Sequence, residues 1–200
     1  MTDKSMSFFM DSMKRSSSKS VGSSITVISF VCDQLPVRHR FNFARPVMIY
    51  VGEVSADHNI LLEPFIDQCL QLNGIGVEWK TSTGETAVAR IQVLACISDA
   101  KAKCEIQGFR QYNARDYPCT TCYVPGEARD DGTAATVFPY NHHEHIINYR
   151  TDGQTRLHAA EVVELLAGNA SEQDKTRGIS GVKFSSQLLR LPRKDFDIIR

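Results

Sequence analysis

Apolar residues fall along this chain in two periods, and each period predicts its own kind of element. Ile25-Thr-Val-Ile-Ser-Phe-Val-Cys32 is β-branched and apolar almost throughout, and Pro46-Val-Met-Ile-Tyr-Val-Gly52 repeats the pattern until a glycine stops it. Arg90-Ile-Gln-Val-Leu-Ala-Cys-Ile-Ser98 is the clearest run of the kind. Near-continuous apolar character suits strands covered on both faces. Residues 91–97 are therefore expected as a central strand, flanked by Val47–Tyr50 and Ile25–Val31. Between the second and third runs, Ile60, Leu61, Pro64, Phe65, Cys69 and Leu72 recur at helical spacing. Asp57 or Asn59 can cap that helix, Gly74 and Gly76 can stop it, and Pro64 is expected to be tolerable only near its first turn. The helix should pack on the sheet. Val77 to Trp79, a turn at Thr83-Gly84-Glu85 and a strand from Thr86 read as a hairpin. Two further helices are expected, over residues 100–112 and 156–167. The stretch 113–153 is loop-rich. Strands alternating with helices favour an α/β layer.

Composition narrows the class. The chain has 200 residues, 42% hydrophobic and 23% charged, which is ordinary for a globular domain. Formal net charge is zero, so no global basic field announces a nucleic-acid partner, although a local basic surface would not register in the sum. No apolar run approaches the roughly 20 residues that span a bilayer, so no membrane partner is expected. Residues 11–24 are serine-rich, with Lys14, Arg15 and Lys19, and read as solvated linker. Lys14-Arg15 is too short to serve as a nuclear address. There is no secretory signal, so Cys32, Cys69, Cys96, Cys104, Cys119 and Cys122 are expected to be reduced.

Three places could carry chemistry. Asp99 follows the third apolar run and precedes a helix. A carboxylate at a strand end is a natural metal ligand, and it is equally a common helix cap. Cys119-Thr-Thr-Cys122 has the spacing of half a tetrahedral zinc site, which His142, His143, His145 or His158 could complete. A redox pair is the alternative, but the motif does not open a helix after a strand. Asn141-His-His-Glu-His145 is rich in metal-binding side chains but lacks the HExxH spacing of a zinc protease.

From Leu35 onward, short blocks in order carry a resemblance. They include Leu61-Leu-Glu-Pro-Phe65, Asn73-Gly-Ile75, Cys96-Ile-Ser-Asp99-Ala100, Phe109-Arg-Gln-Tyr-Asn113, Cys119 and Cys122 with Gly126-Glu127, Phe138-Pro-Tyr140, Tyr149-Arg-Thr151, Gly181-Val-Lys183 and Phe196-Asp-Ile-Ile199. Together they resemble the catalytic region of CACTA-type (En/Spm) DNA transposases. The resemblance implies a partial RNase H-like mixed sheet with flanking helices and a loop-rich CxxC insertion. It also implies D-D-E chemistry on DNA with Mg2+, a nuclear location and possible zinc at the insertion. Asp99 then falls on the second catalytic Asp, and Cys119, Cys122 and His145 become the zinc candidates. The first catalytic Asp is expected before residue 25 in an Asp-Gly motif that this chain does not show. An Asp-x-x-His and the catalytic Glu are expected beyond Ile199. Lys101 and Lys103 depart from the resembled motif, as does Pro118.

Three segments follow from this reading: a disordered stretch at 1–24, a partial RNase H-like core at 25–112, and a CxxC-containing insertion with its extension at 113–200. Such a fragment is expected to be inactive alone. A non-catalytic, zinc-stabilised binding module is the alternative, and self-association is left open. No Asp or Glu of this chain is expected within metal-binding distance of Asp99; Asp11, Asp33 and Asp57 are the carboxylates to watch, because any of them converging on Asp99 would overturn the alignment and supply a pair.

Overall fold

The strand that organises the sheet comes from the segment expected to be disordered. The computed structural model describes residues 4–14, 24–52, 57–111, 113–128, 136–137, 148–193 and 196–199. Lys4–Lys14 forms β1, Ser24–Cys32 β2 and Arg45–Gly52 β3, with a short helix α1 at Val37–Arg40. The expectation of disorder over 1–24 is therefore wrong for residues 4–14 and 24. The reason is tertiary: β1 pairs antiparallel with β2 from Met6↔Cys32 to Lys14↔Ser24, and parallel with the later strand β6, Ile91–Ile97. Both edges of β1 are thus hydrogen-bonded, which its own short apolar run could not announce.

The mixed sheet has the order β3-β2-β1-β6. Ile91–Ile97 is accordingly an end strand of this sheet, not the centre. β2 pairs directly with β3 instead of lying across β6 from it, and β1 takes the inner position beside β2 that the apolar pattern assigned to β6. Leu94 and Ile97 are correspondingly exposed, while Val93 is buried.

The expected helix is α2, His58–Gly74, capped by Asp57, whose side chain accepts from the amides of Asn59 and Ile60. Its buried residues Leu62, Phe65, Ile66 and Cys69 follow the spacing of one helix face. That stripe packs on the sheet. Phe65 lies 4.9 Å from the Phe8 ring and 5.2 Å from the Phe30 ring, measured between centroids. Pro64 sits well inside the helix rather than in its first turn. It is exposed, so water can reach the Ile60 carbonyl that Pro64 leaves without a helical donor. The hairpin is present as β4, Val77–Lys80, and β5, Thr86–Ala89, paired antiparallel. Helix α3 spans Ala100–Gln107 and ends sooner than expected, because Gly108 turns the chain at φ +80.

The chain divides into two compact units. The first takes residues 1–102 with 190–197, and the second 103–189 with 198–200. In the first, the returning segment buries Leu191 and Phe196, and Arg190 pairs with Asp67. The second contains a two-stranded ribbon, β7 at Glu127–Ala128 and β8 at Thr136–Val137. It also contains α4, Asp152–Ala167, and α5, Glu172–Arg177. Helix α4 starts a turn earlier than the periodicity implied, because Thr151 caps it by accepting from the Gln154 amide at 3.2 Å. Cys104, Phe109, Ala159, Val162 and Val182 form the core of this unit. Among the described residues no helix is long and apolar enough to cross a membrane.

Phe8 is fully buried, with 0% exposure, beneath α2. Phe8→Ala should lower the unfolding free energy by about 3–5 kcal/mol, the range for deleting a buried aromatic. The half-buried Phe9→Ala should cost on the order of 1 kcal/mol. Urea midpoints measure both, and an unchanged midpoint for Phe8→Ala would exclude β1 from the core.

Candidate functional site

The first candidate site is built by the parallel pair β1–β6. Up to Met6↔Val93 the strands run in one register; beyond it Ser7 pairs with Ala95, Phe8 with Cys96 and Phe9 with Ile97. Leu94 is the extra residue of a bulge. Carrying the second register two residues past Phe9↔Ile97 sets Asp11 level with Asp99. The first register would have set Asp11 level with Ser98. In that continuation the bulge decides whether Asp99 or Ser98 falls level with Asp11, three residues before β1 ends at Lys14.

Alternation fixes the face. Phe8 and Met10 are buried on the α2 side, so Asp11 projects to the other side, and it is exposed. Ser12 returns to the α2 side, where its Oγ lies 2.8 Å from Thr26 Oγ1 and 3.1 Å from His58 Nε2. Asp99 is also exposed, and its Oδ1 accepts from the Ala102 amide at 2.7 Å, capping α3. The cap reading of Asp99 is thus present in the structure. It occupies one acceptor position of a carboxylate that has about four.

The other two carboxylates under watch are committed elsewhere. Asp33 accepts from Ser7 Oγ through both oxygens at 3.0 Å, near the start of β1, and Asp57 caps α2. Of the three, only Asp11 falls level with Asp99 when the β1–β6 register is continued. Sequence reasoning placed Asp11 in a linker and sought the first carboxylate in an Asp-Gly motif. The available signal was the apolar Phe8-Phe9-Met10 immediately before it.

The second candidate site lies in the other unit. Cys119 and Cys122 converge: their side chains are hydrogen-bonded to one another. The Thr121 amide donates to Cys119 Sγ at 3.4 Å, and the Val124 backbone donates to Cys122. Each sulfur thus receives an amide from two residues further on, which favours a thiolate. Burial raises both thiols. At Cys119 it is outweighed by the Thr121 amide, the Cys122 side chain and backbone, and the charge of Arg150, so this thiol lies below its usual range. At Cys122 burial and the neighbouring Cys119 prevail, and this thiol lies above it. The pair therefore holds one proton more tightly than the other, with the looser proton on Cys119.

The loop is tied down by residues 148–151. Tyr123 N donates to Asn148 O at 3.0 Å, Arg150 N donates to Thr121 O at 2.9 Å, and Cys122 bridges to Tyr149. His145, with His142 and His143, lies outside the described residues. His158 is on α4, with its ring edge-on to Tyr123 at 6.1 Å and its Nδ1 buried without a partner. It does not complete the site, for among the described residues no group of three or more His, Cys, Asp or Glu side chains is placed to hold a metal ion. The two cysteines fit half of a tetrahedral zinc centre in donor type and convergence.

No family model matches this chain, and no curated protein is similar to it in sequence.

The lowered Cys119 thiol has two consequences. Thiolate forms in the folded chain at pH values where the unfolded chain still holds the proton. Its contribution to stability is present above the unfolded pKa and is lost as pH falls through the folded one. Iodoacetamide should therefore label Cys119 at lower pH than an ordinary cysteine and ahead of Cys122, while buried Cys69, pushed up to about 12, stays unlabelled. Peptide mass spectrometry across a pH series reads this order, and equal labelling of the two would contradict it.

Proposed function

We propose that this chain belongs to a metal-dependent DNA nuclease and strand transferase of the D-D-E transposase type, with Asp11 and Asp99 as two of its three carboxylates. The observation that carries the reading is the register of β1 against β6, paired as far as Phe9↔Ile97, which when continued two residues brings Asp11 level with Asp99. Open α/β sheets bind their ligands outside the carboxyl ends of the strands, particularly where the order of connection reverses. Here the chain runs β1, β2, β3 to one side and then crosses back through α2 to set β6 against the other side of β1. An antiparallel meander with a further strand parallel to its first member supports the RNase H-like expectation.

Asp11 and Asp99 are both exposed, as ligands of a hydrated cation must be, because burial in an apolar pocket would favour their neutral forms. They are the residues that would hold Mg2+, a hard ion that takes one or two carboxylates and keeps much of its water. A bound Mg2+ would supply charge stabilisation at a phosphodiester and acidify a coordinated hydroxyl. Asp11 departs from the resembled motif in being followed by Ser12 instead of glycine, and the third carboxylate, a Glu, is not assigned to a described residue. Two carboxylates bind a cation; in-line displacement with two ions needs ligands on both. On this reading DNA is the partner, the nucleus the site of action, and the chain alone a binder of metal rather than a complete catalyst.

The convergence of Cys119 and Cys122 favours a second element, a zinc-stabilised module in the other unit. It stands without the first, since a structural zinc contributes to folding whatever the carboxylates do.

Calorimetric titration of the purified chain with Mn2+ tests the first reading. Asp11→Asn and Asp99→Asn should each weaken the strongest binding event by at least about tenfold, as loss of one of two anionic ligands implies. Asp33→Asn should leave it unchanged. Mn2+ affinity in Asp11→Asn equal to the parent would remove Asp11 from the site and take the reading with it.

A further inference from the structure

The proposal concerns Arg150 and follows on the zinc reading of Cys119 and Cys122. Arg150 is a charged side chain only 4% exposed, and no ion pair to a carboxylate is formed by it among the described residues. Removing such a charge from water is costly unless its donors and its charge are answered locally. Its Nε and Nη2 donors are spent on the loop. Nε donates to the carbonyl of Cys119 at 2.8 Å and to that of Cys122 at 3.2 Å, and Nη2 donates to the carbonyl of Tyr117 at 3.1 Å. The guanidinium stacks 4.2 Å from the Tyr123 ring and 5.0 Å from the Phe109 ring. Nη1 is buried and unpartnered, and the charge acts on both cysteine sulfurs.

Two strained or crowded positions confirm how closely the chain is drawn around this group. Tyr117 holds φ +49, a left-handed conformation uncommon for a residue with a Cβ, and it is the residue whose carbonyl meets Nη2. Gly181 holds φ +84, and a Cβ there would stand 2.9 Å from Arg150 Nη2 and 3.1 Å from Tyr117 Cβ. Backbone in these conformations persists where the surroundings over-determine it.

We propose that Arg150 is a positioning residue for a metal: a planar fork that holds the carbonyls of Tyr117, Cys119 and Cys122 so that both sulfurs face one ion. Carbonyls pulled inward onto the guanidinium leave the amides of Thr121 and Val124 pointing to the sulfurs. That is the arrangement that turns two cysteines three apart into convergent ligands. Residues behind a metal's direct ligands orient them in this way and typically govern affinity by 10–100-fold. Lysine cannot replace the fork, since a single ammonium on a flexible stem does not span three fixed carbonyls from one plane.

Cobalt(II) titration of the full chain tests this, read by the thiolate-to-cobalt charge-transfer absorption and by competition with Zn2+ for relative affinity. The parent should show cysteine-thiolate bands that Cys119→Ser and Cys122→Ser abolish. Arg150→Lys should retain the helical circular dichroism of the parent, weaken metal binding by at least about tenfold and alter the band intensity, which a merely structural role would not do. Parent-like affinity and bands in Arg150→Lys would overturn the proposal while leaving the zinc reading intact. Absence of thiolate bands in the parent would overturn both. Should Arg150→Ala fail to fold, Arg150→Lys still decides, with Phe109→Leu, which removes a stacking ring but no donor, expected to bind metal within about threefold of the parent.

Discussion

The parallel pairing of β1 with β6 is the constraint on which the first unit depends. An antiparallel hairpin such as β1–β2 forms locally, but a parallel partner must arrive by a long connection, here through β3, α2 and the β4–β5 ribbon. Once made, the pairing satisfies the second edge of β1, sets Phe8 and Met10 beneath α2, and determines which residues of β6 and its following turn stand at the sheet's end. Without it β1, which carries Phe8 against Phe65, would have one edge unpaired, and α2 would face a three-stranded sheet ending at β1. Sheet stability and the candidate site therefore share one cause.

Much of the secondary structure was legible because its signals are local. β2, β3 and β6 are apolar runs bounded by turn residues, α2 carries an Asp cap and an i, i+3, i+4 stripe, and the β4–β5 hairpin has a glycine turn. β1 was not legible. Its apolar stretch is short, its outer residues are Lys4 and Lys14, and serine follows it, so composition alone argues for solvation. What makes it a strand is hydrogen bonding to segments far along the chain, and no window of sequence contains that. The order of the sheet failed for the same reason: apolar character says that a strand is covered, and β6 showed it strongly, but it does not say by which neighbour.

The candidate chemistry divides along the same line. Cys119 and Cys122 were legible as a spacing, since residues three apart in a turn can converge without help from elsewhere. Arg150 was not, because a lone arginine in sequence gives no sign that its guanidinium will be buried between two aromatic rings with its donors turned onto the loop. Asp99 was legible as a strand-end carboxylate with two competing roles. Asp11 was hidden with the strand that carries it. The residues missed are those whose meaning comes from a long-range partner.

The two roles of Asp99 are less opposed than they first seem. As a cap, its Oδ1 is fixed on the Ala102 amide, and its negative charge sits at the amino end of α3, where the helix dipole favours it. That bond immobilises the rotamer. A carboxylate held by one oxygen at the end of a strand has less entropy to lose on binding a cation than one free to rotate, and its remaining lone pairs are unaffected by the cap. The bulge at Leu94 makes this relevant, because with the register continued past Phe9↔Ile97 its shift of one residue sets the capped Asp99, instead of Ser98, level with Asp11. A bulge leaves its extra residue unpaired in the ladder, and Leu94 is an exposed apolar side chain there. Neither feature favours stability, and a regular ladder would avoid both. What the irregularity gives in return is a register whose continuation levels two exposed carboxylates, and that exchange is the physical argument for reading this end of the sheet as a site.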